Sequence, residues 1–295
     1  MPLLRRLRTA SSLAVLLSAA AQAAAPPQTV HFPSLDADRT ELVGYLFEPA
    51  GPGPHPAVVM LHGRAGPYSA KVNRDCTRVG RGQASPCDAS SLSRRHVAWG
   101  AYWAAHGYLA LHVDSFGPRG RAHGYGRGTH EDPDRRAVNE LTVRPLDAEG
   151  ALAYLAARPG VRADRVMLQG WSNGGSTTLN TVYRQAQAGP GGGPRFRAAL
   201  AFYPGCGPRA LLSSSHPFRA DIPLWVFLAG DDEEVSPAVC EKALRHAQGP
   251  VEVVRYEGAT HGFDDPGTTR QGVPANRAAT EDAMRRSAPL FDALP

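Results

Sequence analysis

Several features that define large protein classes are scarce in this sequence. It contains two lysines, Lys71 and Lys242, and its arginines are scattered, so no basic patch indicates nucleic-acid binding. The four cysteines show no C-x-x-C spacing, which argues against a zinc site. No apolar run is long enough to span a bilayer, and no internal repeat is visible. The hydrophobic content, 42%, is enough to bury the core of one large domain.

The first residues have the pattern of a secretory signal peptide. Arginines at positions 5, 6 and 8 precede an apolar stretch that starts at Leu13 and ends in the small-residue triplet Ala21-Gln22-Ala23. The stretch is too short and too rich in alanine for a membrane anchor. We therefore predict a signal peptide over residues 1–23 and a single domain over residues 24–295. Cleavage removes three arginines, so the net charge falls from +5 to +2 (5 − 3).

The cysteine count supports export. Four cysteines, an even number, lie after the predicted cleavage site, and in an exported protein this favours disulfides over free thiols. Cys76 and Cys87 flank one polar loop, whereas Cys206 and Cys240 follow two successive predicted strands. We predict the pairs 76–87 and 206–240, with four free thiols as the alternative.

Hydrophobic patterning predicts an α/β protein. Short apolar or alternating runs predict strands at 29–32, 41–47, 57–61, 108–113, 165–169, 198–203, 223–228 and 251–256. Helical patterns fall at 92–106, 135–157 with an interruption near Pro145, 173–188, 237–247 and 275–294. Alternation of this kind predicts a mostly parallel sheet covered by helices on both faces.

The most informative motif is Gly170-Trp171-Ser172-Asn173-Gly174, which follows the apolar strand at 165–169. A G-x-S-x-G pentapeptide between a buried strand and a helix is typical of the nucleophile elbow of serine hydrolases. The serine must sit on a sharp turn, and side chains two residues away on either side would collide with neighbouring backbone. We therefore predict Ser172 as the nucleophile.

A nucleophilic serine needs a general base, and the base needs an acid that orients it. In this type of enzyme the chain order is serine, acid, histidine. Of the histidines after Ser172, His216 lies in a connection and His246 in a helix, whereas His261 follows the last predicted strand. We predict His261 as the base.

The acid is expected in the loop after the preceding strand, which contains four consecutive carboxylates from Asp231 to Glu234. Aspartate fits the short reach to the histidine, so we predict Asp232. Glu233 remains a close alternative.

Two backbone N–H groups are expected to form an oxyanion hole. One is that of Asn173, directly after the nucleophile. The other is that of Arg64, in a loop that resembles an H-G-x-x-G turn, His62-Gly63-Arg64-Ala65-Gly66. His62 itself lies outside the required chain order and is interpreted as structural.

Together these motifs resemble the dienelactone hydrolase family of the α/β-hydrolase superfamily. The resemblance runs from about Thr40 to the C-terminus and is carried by Leu61-His62-Gly63, Asp114-Ser115-Phe116-Gly117-Pro118-Arg119-Gly120, the Ser172 pentapeptide with Gly175, Tyr203-Pro204-Gly205-Cys206 and His261-Gly262-Phe263. It implies the α/β-hydrolase fold and a catalytic triad. It also implies that Arg119 grips a substrate carboxylate.

This sequence departs from the family pattern at two positions. The best-known members have cysteine at the elbow, where this chain has Ser172, and a glutamate where it has Gly63. We therefore expect a serine-nucleophile variant, an exported hydrolase of small carboxylic esters that needs no metal or cofactor. Its expected partner is a small-molecule ester, with no nucleic acid and no membrane after signal cleavage. A peptidase, a carbohydrate esterase and a non-catalytic binding protein are the alternatives.

Overall fold

Eight strands form one mostly parallel sheet in the computed structural model, which describes residues 26–213 and 215–294. The strands are β1 (Gln28–Pro33), β2 (Glu41–Phe47), β3 (His55–Leu61), β4 (Leu109–Asp114), β5 (Val161–Trp171), β6 (Phe196–Phe202), β7 (Leu224–Ala229) and β8 (Val251–Tyr256). Their order is β1-β2-β4-β3-β5-β6-β7-β8. Strands β3 to β8 are mutually parallel, and β2 is antiparallel to both of its neighbours. The predicted α/β fold is confirmed, and the predicted signal peptide lies outside the described residues.

Seven helices accompany the sheet in the described part of the chain. They are α1 (Arg94–Ala105), α2 (Pro133–Ala137), α3 (Arg144–Ala156), α4 (Asn173–Ala188), α5 (Pro237–Leu244), α6 (Thr268–Gln271) and α7 (Pro274–Asp292). Short 3-10 turns lie at Ala89–Ser91 and Gly117–Arg119. None of the helices in residues 26–213 and 215–294 is long and apolar enough to cross a membrane.

The helix expected at 135–157 is two helices, and the break lies before Pro145 rather than at it. Pro145 stands in the first turn of α3. A proline is tolerated there because the N–H that it lacks would have no partner inside the helix. Pro145 therefore starts α3 instead of interrupting a longer helix, and residues 138–143 connect α2 to it.

Each face of the sheet carries its own core. In β3, Ala57, Val59 and Leu61 face one core, and Val58 and Met60 face the other, as the two-residue period of a strand requires. Helices α3, α4 and α5 contribute to the first core, and α1 and α7 to the second. Because both faces are covered, ligands can reach the sheet only at an edge, and in parallel sheets they bind at the carboxyl ends of the strands.

Two disulfides fasten loops at that edge. Cys76 is bonded to Cys87 within the segment between β3 and α1, and Cys206 after β6 is bonded to Cys240 in α5. These are the pairs predicted from the sequence, and the described residues contain no free cysteine.

Three buried histidines lie beneath the carboxyl edge. The ring centroids of His96 and His112 are 4.1 Å apart, and those of His62 and His112 are 6.2 Å apart. Burial is the main cause that lowers the pKa of His96 to about 3 and the pKa values of His62 and His112 well below their usual range. Burial also raises the pKa of the neighbouring Asp114 to about 6, against the hydrogen bonds that it accepts.

These shifts predict a loss of stability in mild acid. Once unfolded, the three histidines bind protons below about pH 6.5, whereas the folded state keeps them neutral. Asp114 acts in the opposite sense, because its folded form binds a proton that the unfolded form releases. For these four groups the difference is about two protons, so together they should lower the free energy of unfolding by about 3 kcal/mol per pH unit between about pH 5.5 and 4.5.

His112→Leu should remove the contribution of one proton from that slope, about 1 kcal/mol per pH unit. Neither ring nitrogen of His112 has a hydrogen-bond partner among the described residues, so the substitution removes a titration without breaking a bond. Urea unfolding at a series of pH values measures the slope, with the exposed His246→Leu as the control. Equal slopes in wild type and His112→Leu would contradict the assignment.

Candidate active site

Ser172 occupies a strained turn between β5 and α4. Its φ of 53° and ψ of −116° lie outside the conformations that residues other than glycine usually adopt. A Cβ on Gly170 would lie 2.1 Å from the carbonyl oxygen of Gly174, and a Cβ on Gly174 would lie 2.1 Å from that of Leu61. The two glycines of the motif are therefore required by close backbone approach, as the sequence analysis predicted.

The hydroxyl of Ser172 meets His261. The distance from Ser172 Oγ to His261 Nε2 is 2.9 Å, and His261 Nδ1 lies 2.8 Å from Oδ2 of Asp232. A carboxylate on Nδ1 favours the tautomer in which Nδ1 carries the proton and Nε2 is free to accept one from the serine. The structure thus brings together three residues that lie on three different loops.

The geometry distinguishes the two candidate acids. The side chain of Asp232 is 1% exposed, and its Oδ1 also accepts the backbone N–H groups of Glu234 and Val235. Glu233 points elsewhere, because it accepts the backbone N–H of His261 at 2.9 Å and pairs with Arg270 at 2.8 Å. The geometry favours Asp232 as the group that orients the imidazole, while Glu233 holds the His261 backbone.

Two backbone N–H groups are available at the elbow. That of Asn173 stands at the first position of α4, where a helix leaves its N–H groups unpaired. The N–H of Arg64 belongs to the peptide between Gly63 and Arg64. The carbonyl of that peptide accepts hydrogen bonds from His62 Nδ1 at 2.7 Å and from the N–H of Gly66 at 3.2 Å. Because N–H and C=O point in opposite directions in a trans peptide, those two bonds fix the direction of the Arg64 N–H.

His62 has the structural role expected of it. The N–H of Ser115 donates to its Nε2 at 3.1 Å, so Nδ1 carries the proton that is donated to Gly63. Gly63 lies against the elbow, since a Cβ built on it would be 3.5 Å from Cβ of Ser172. The buried ring of His62 thereby locks the loop of Arg64 beside the serine.

A cleft of about 150 Å³ opens beside Ser172 and is lined by charged side chains that pair with one another. Glu234 accepts from Arg64 at 3.0 Å and from Arg127 at 2.7 Å, and its Oε2 lies 3.8 Å from His261 Nε2. Burial raises the pKa of Glu234, but the charge of His261 and the hydrogen bonds from Arg127 and Arg64 hold it below its usual range. At the other end of the cleft, Arg135 and Glu140 lie 3.7 Å apart.

Asp264 is a buried residue of this region that the sequence analysis missed. Its Oδ2 accepts the indole N–H groups of Trp99 and Trp171, both at 2.7 Å, and its Oδ1 accepts the hydroxyl of Tyr203. Trp171 precedes the nucleophile, and the ring of Tyr203 packs on His261 at 4.7 Å. The carboxylate of Asp264 therefore binds both Trp171, next to Ser172, and Tyr203, which packs on His261. In the sequence, the one signal for this role is its position three residues after His261.

The structure does not support the predicted role of Arg119 in binding a substrate carboxylate. Its guanidinium donates to Asp147 at 2.8 and 2.9 Å and to Asp36 at 2.7 Å, and its side chain is 13% exposed. It lines a different cavity from the one beside Ser172. Two carboxylates of the protein already occupy its donors, so Arg119 holds the segment after β4 to α3.

One group of side chains in the described part of the chain has the spacing of a metal site. Cys76, Cys87 and His123 place a ligand atom each within 4.8 Å of one another. Both sulfurs form the disulfide, however, which leaves His123 as the one available ligand. The group does not suit a metal ion in this state.

Comparison with known families agrees with this architecture. The profile of the dienelactone hydrolase family matches residues 96–294, about two thirds of the chain. The chain belongs to the dienelactone hydrolase family. Its members are hydrolases, and the resemblance seen in the sequence motifs is confirmed. No protein of curated function matches the chain.

Solved structures share the fold at low sequence identity. A dienelactone hydrolase-like promiscuous phosphotriesterase from metagenomic libraries is 20% identical, with a TM-score of 0.61, 92% of this chain covered and 99% of that one. Esterase 2 of Thermogutta terrifontis is 19% identical, with a TM-score of 0.57 and coverage of 90% and 97%. A puromycin-hydrolysing peptidase of Mycobacterium tuberculosis is 17% identical, with a TM-score of 0.61, but this chain covers only 40% of it.

Replacing the two candidate acids separately tests their roles. Asp232→Asn should lower kcat by about 10⁴-fold, because an amide at that position no longer holds the tautomer that accepts the serine proton. Glu233→Gln keeps an oxygen for the His261 N–H and should remain close to wild type. The measurement is steady-state hydrolysis of p-nitrophenyl acetate, and a larger loss in Glu233→Gln than in Asp232→Asn would reverse the assignment.

Proposed function

We propose that this member of the dienelactone hydrolase family is an exported serine esterase that hydrolyses small, uncharged carboxylic esters. The observation that carries the proposal is the chain of contacts from Ser172 Oγ through His261 to Asp232, at 2.9 and 2.8 Å, on a strained elbow. Strain of this kind is characteristic of functional sites, because the fold must hold it at a cost in stability.

These contacts support a reaction in two halves through an acyl-enzyme. Ser172 Oγ attacks the ester carbonyl while His261 Nε2 takes its proton, and Asp232 stabilises the imidazolium that forms. The N–H groups of Asn173 and Arg64 bind the oxyanion. His261 then returns the proton to the departing alcohol. In the second half, water gives a proton to His261 and attacks the acyl-enzyme, and His261 returns that proton to Ser172 Oγ as the acid is released.

The cleft supports a short acyl or alcohol group without charge. A volume of about 150 Å³ holds a few carbon atoms beside Ser172. Arg64 and Arg127 are paired with Glu234, and Glu233 with Arg270. A charged substrate would have to displace one of these partners, whereas a neutral ester can accept hydrogen bonds from the arginines without doing so.

Export is supported by two independent features. The first 23 residues have the signal-peptide pattern, and all four cysteines form disulfides, which persist in oxidising compartments. We therefore propose an extracytoplasmic enzyme.

The triad is tested with Ser172→Ala and His261→Ala in the mature protein. Each should reduce hydrolysis of p-nitrophenyl acetate by at least about a thousandfold, because neither residue acts without the other. His246→Ala, an exposed histidine after Ser172, is the matched control and should keep full activity.

Labelling with a fluorophosphonate probe separates the classes of function. Wild type should be labelled and Ser172→Ala should not, since the probe reacts with an activated serine. A wild-type protein that neither hydrolyses esters nor takes the label would be a binding protein instead. Labelling together with cleavage of peptide amides but not esters would favour the peptidase alternative.

Cleft size predicts the chain-length preference. With p-nitrophenyl acetate, butyrate and octanoate, kcat/KM should be highest for acetate and lower by about tenfold or more for octanoate, whose chain exceeds the cleft. An equal or rising kcat/KM along the series would show that the acyl chain lies outside this cleft.

A further inference from the structure

Arg144 is a buried cation that the proposed reaction does not yet use. Its side chain is completely inaccessible, and burial lowers its pKa to about 10. Buried arginines are normally paired with a carboxylate. Within residues 26–213 and 215–294, however, Arg144 makes no ion pair closer than 4.0 Å, and its Nε has no hydrogen-bond partner. Burying this charge without a direct ion pair costs free energy, so we asked what its hydrogen bonds contribute to the site.

The two ends of the Arg144 guanidinium bind the two halves of the proposed oxyanion hole. Nη1 donates to the side-chain oxygen of Asn173, whose backbone N–H is the first donor. Nη2 donates at 2.8 Å to the carbonyl of His62, two residues before Arg64, whose N–H is the second. One rigid planar group from α3 thus spans the loop after β3 and the start of α4.

The surroundings fix the guanidinium in that position. Its central carbon lies 4.9 Å from the centroid of the Phe116 ring. Asp147 and Glu140 supply negative charge near it without a direct ion pair. Asp147 is itself held by Ser34 and Arg119, so it cannot turn toward the arginine without breaking those bonds.

We propose that Arg144 is a positioning residue that sets the separation and direction of the two oxyanion donors. The inference rests on the proposed esterase function. It follows from the geometry, because the bonds of Nη1 and Nη2 connect two segments that lie beyond the last paired residues of β3 and β5, Leu61 and Gly170. Arginine suits the task and lysine does not, since its donors are fixed in one plane whereas an ammonium offers a single point.

The proposal predicts a selective defect in transition-state binding. In Arg144→Gln and Arg144→Lys, kcat for p-nitrophenyl acetate should fall by about 100-fold while KM stays within about threefold, because the donors align with the oxyanion rather than with the ground-state ester. The affinity for a trifluoromethyl ketone, which forms an oxyanion on Ser172, should fall by the same factor as kcat/KM.

Asn173→Ala provides a second test that keeps Arg144 in place. It retains the backbone N–H of residue 173 and removes the side-chain oxygen that Arg144 Nη1 binds. It should show the same parallel loss of kcat and of ketone affinity. Arg184→Gln, at the far end of α4 and paired with Glu149 on the surface, is the control and should match wild type.

The outcomes separate a positioning role from a structural one. Active-site titration with a fluorophosphonate gives the folded, reactive fraction, to which each kcat is normalised. If Arg144→Lys and Asn173→Ala lower the melting temperature but leave normalised kcat and ketone affinity unchanged, Arg144 is structural and the proposal is overturned. If wild type fails to react with the fluorophosphonate, the esterase function itself is wrong, and the proposal falls with it.

Discussion

The turn at Ser172 is the constraint on which the site depends. The chain leaves β5 through Gly170, passes Ser172 with a positive φ, and enters α4 at Asn173. Steric strain of about 1–3 kcal/mol at such a residue persists only when the surroundings enforce it. Here the serine N–H is bound to β6, and the first ten residues of α4 are buried. The same turn exposes the hydroxyl and directs a helix N–H toward the place where oxyanion charge would develop.

Features with a local physical cause were predictable from the sequence. All eight strands were found because two-residue alternation and buried apolar runs reflect burial directly. Ser172, Asp232 and His261 came together because parallel strands place the loops that follow them at one edge, so chain order predicts proximity. The choice between Asp232 and Glu233 needed the structure, because both lie in one loop and the sequence does not show which carboxylate turns toward Nδ1.

Contacts that neither a motif nor the chain order indicates were not predictable. Asp264 and Arg144 are single charged residues in unremarkable contexts, and only the folded chain brings the first to Trp99 and the second to Asn173. Arg119 shows the opposite error. The family resemblance implied a contact with a substrate carboxylate, but Asp36 and Asp147, far away in sequence, bind its guanidinium. Sequence motifs predict which loop a residue occupies, whereas its contacts in the folded chain decide whether its side chain is free to bind a substrate.

The position of Glu234 shows how such a site can accommodate a second carboxylate. A full negative charge 3.8 Å from His261 Nε2 would oppose the negative charge of an oxyanion formed nearby. Arg64 and Arg127 bind that carboxylate directly, so their charges offset it. In the proposed reaction, stabilisation of the oxyanion would then depend on the direction of two backbone N–H groups rather than on net charge. This is why a residue that sets their direction, as proposed for Arg144, would have a larger effect on turnover than the charged residues that line the cleft.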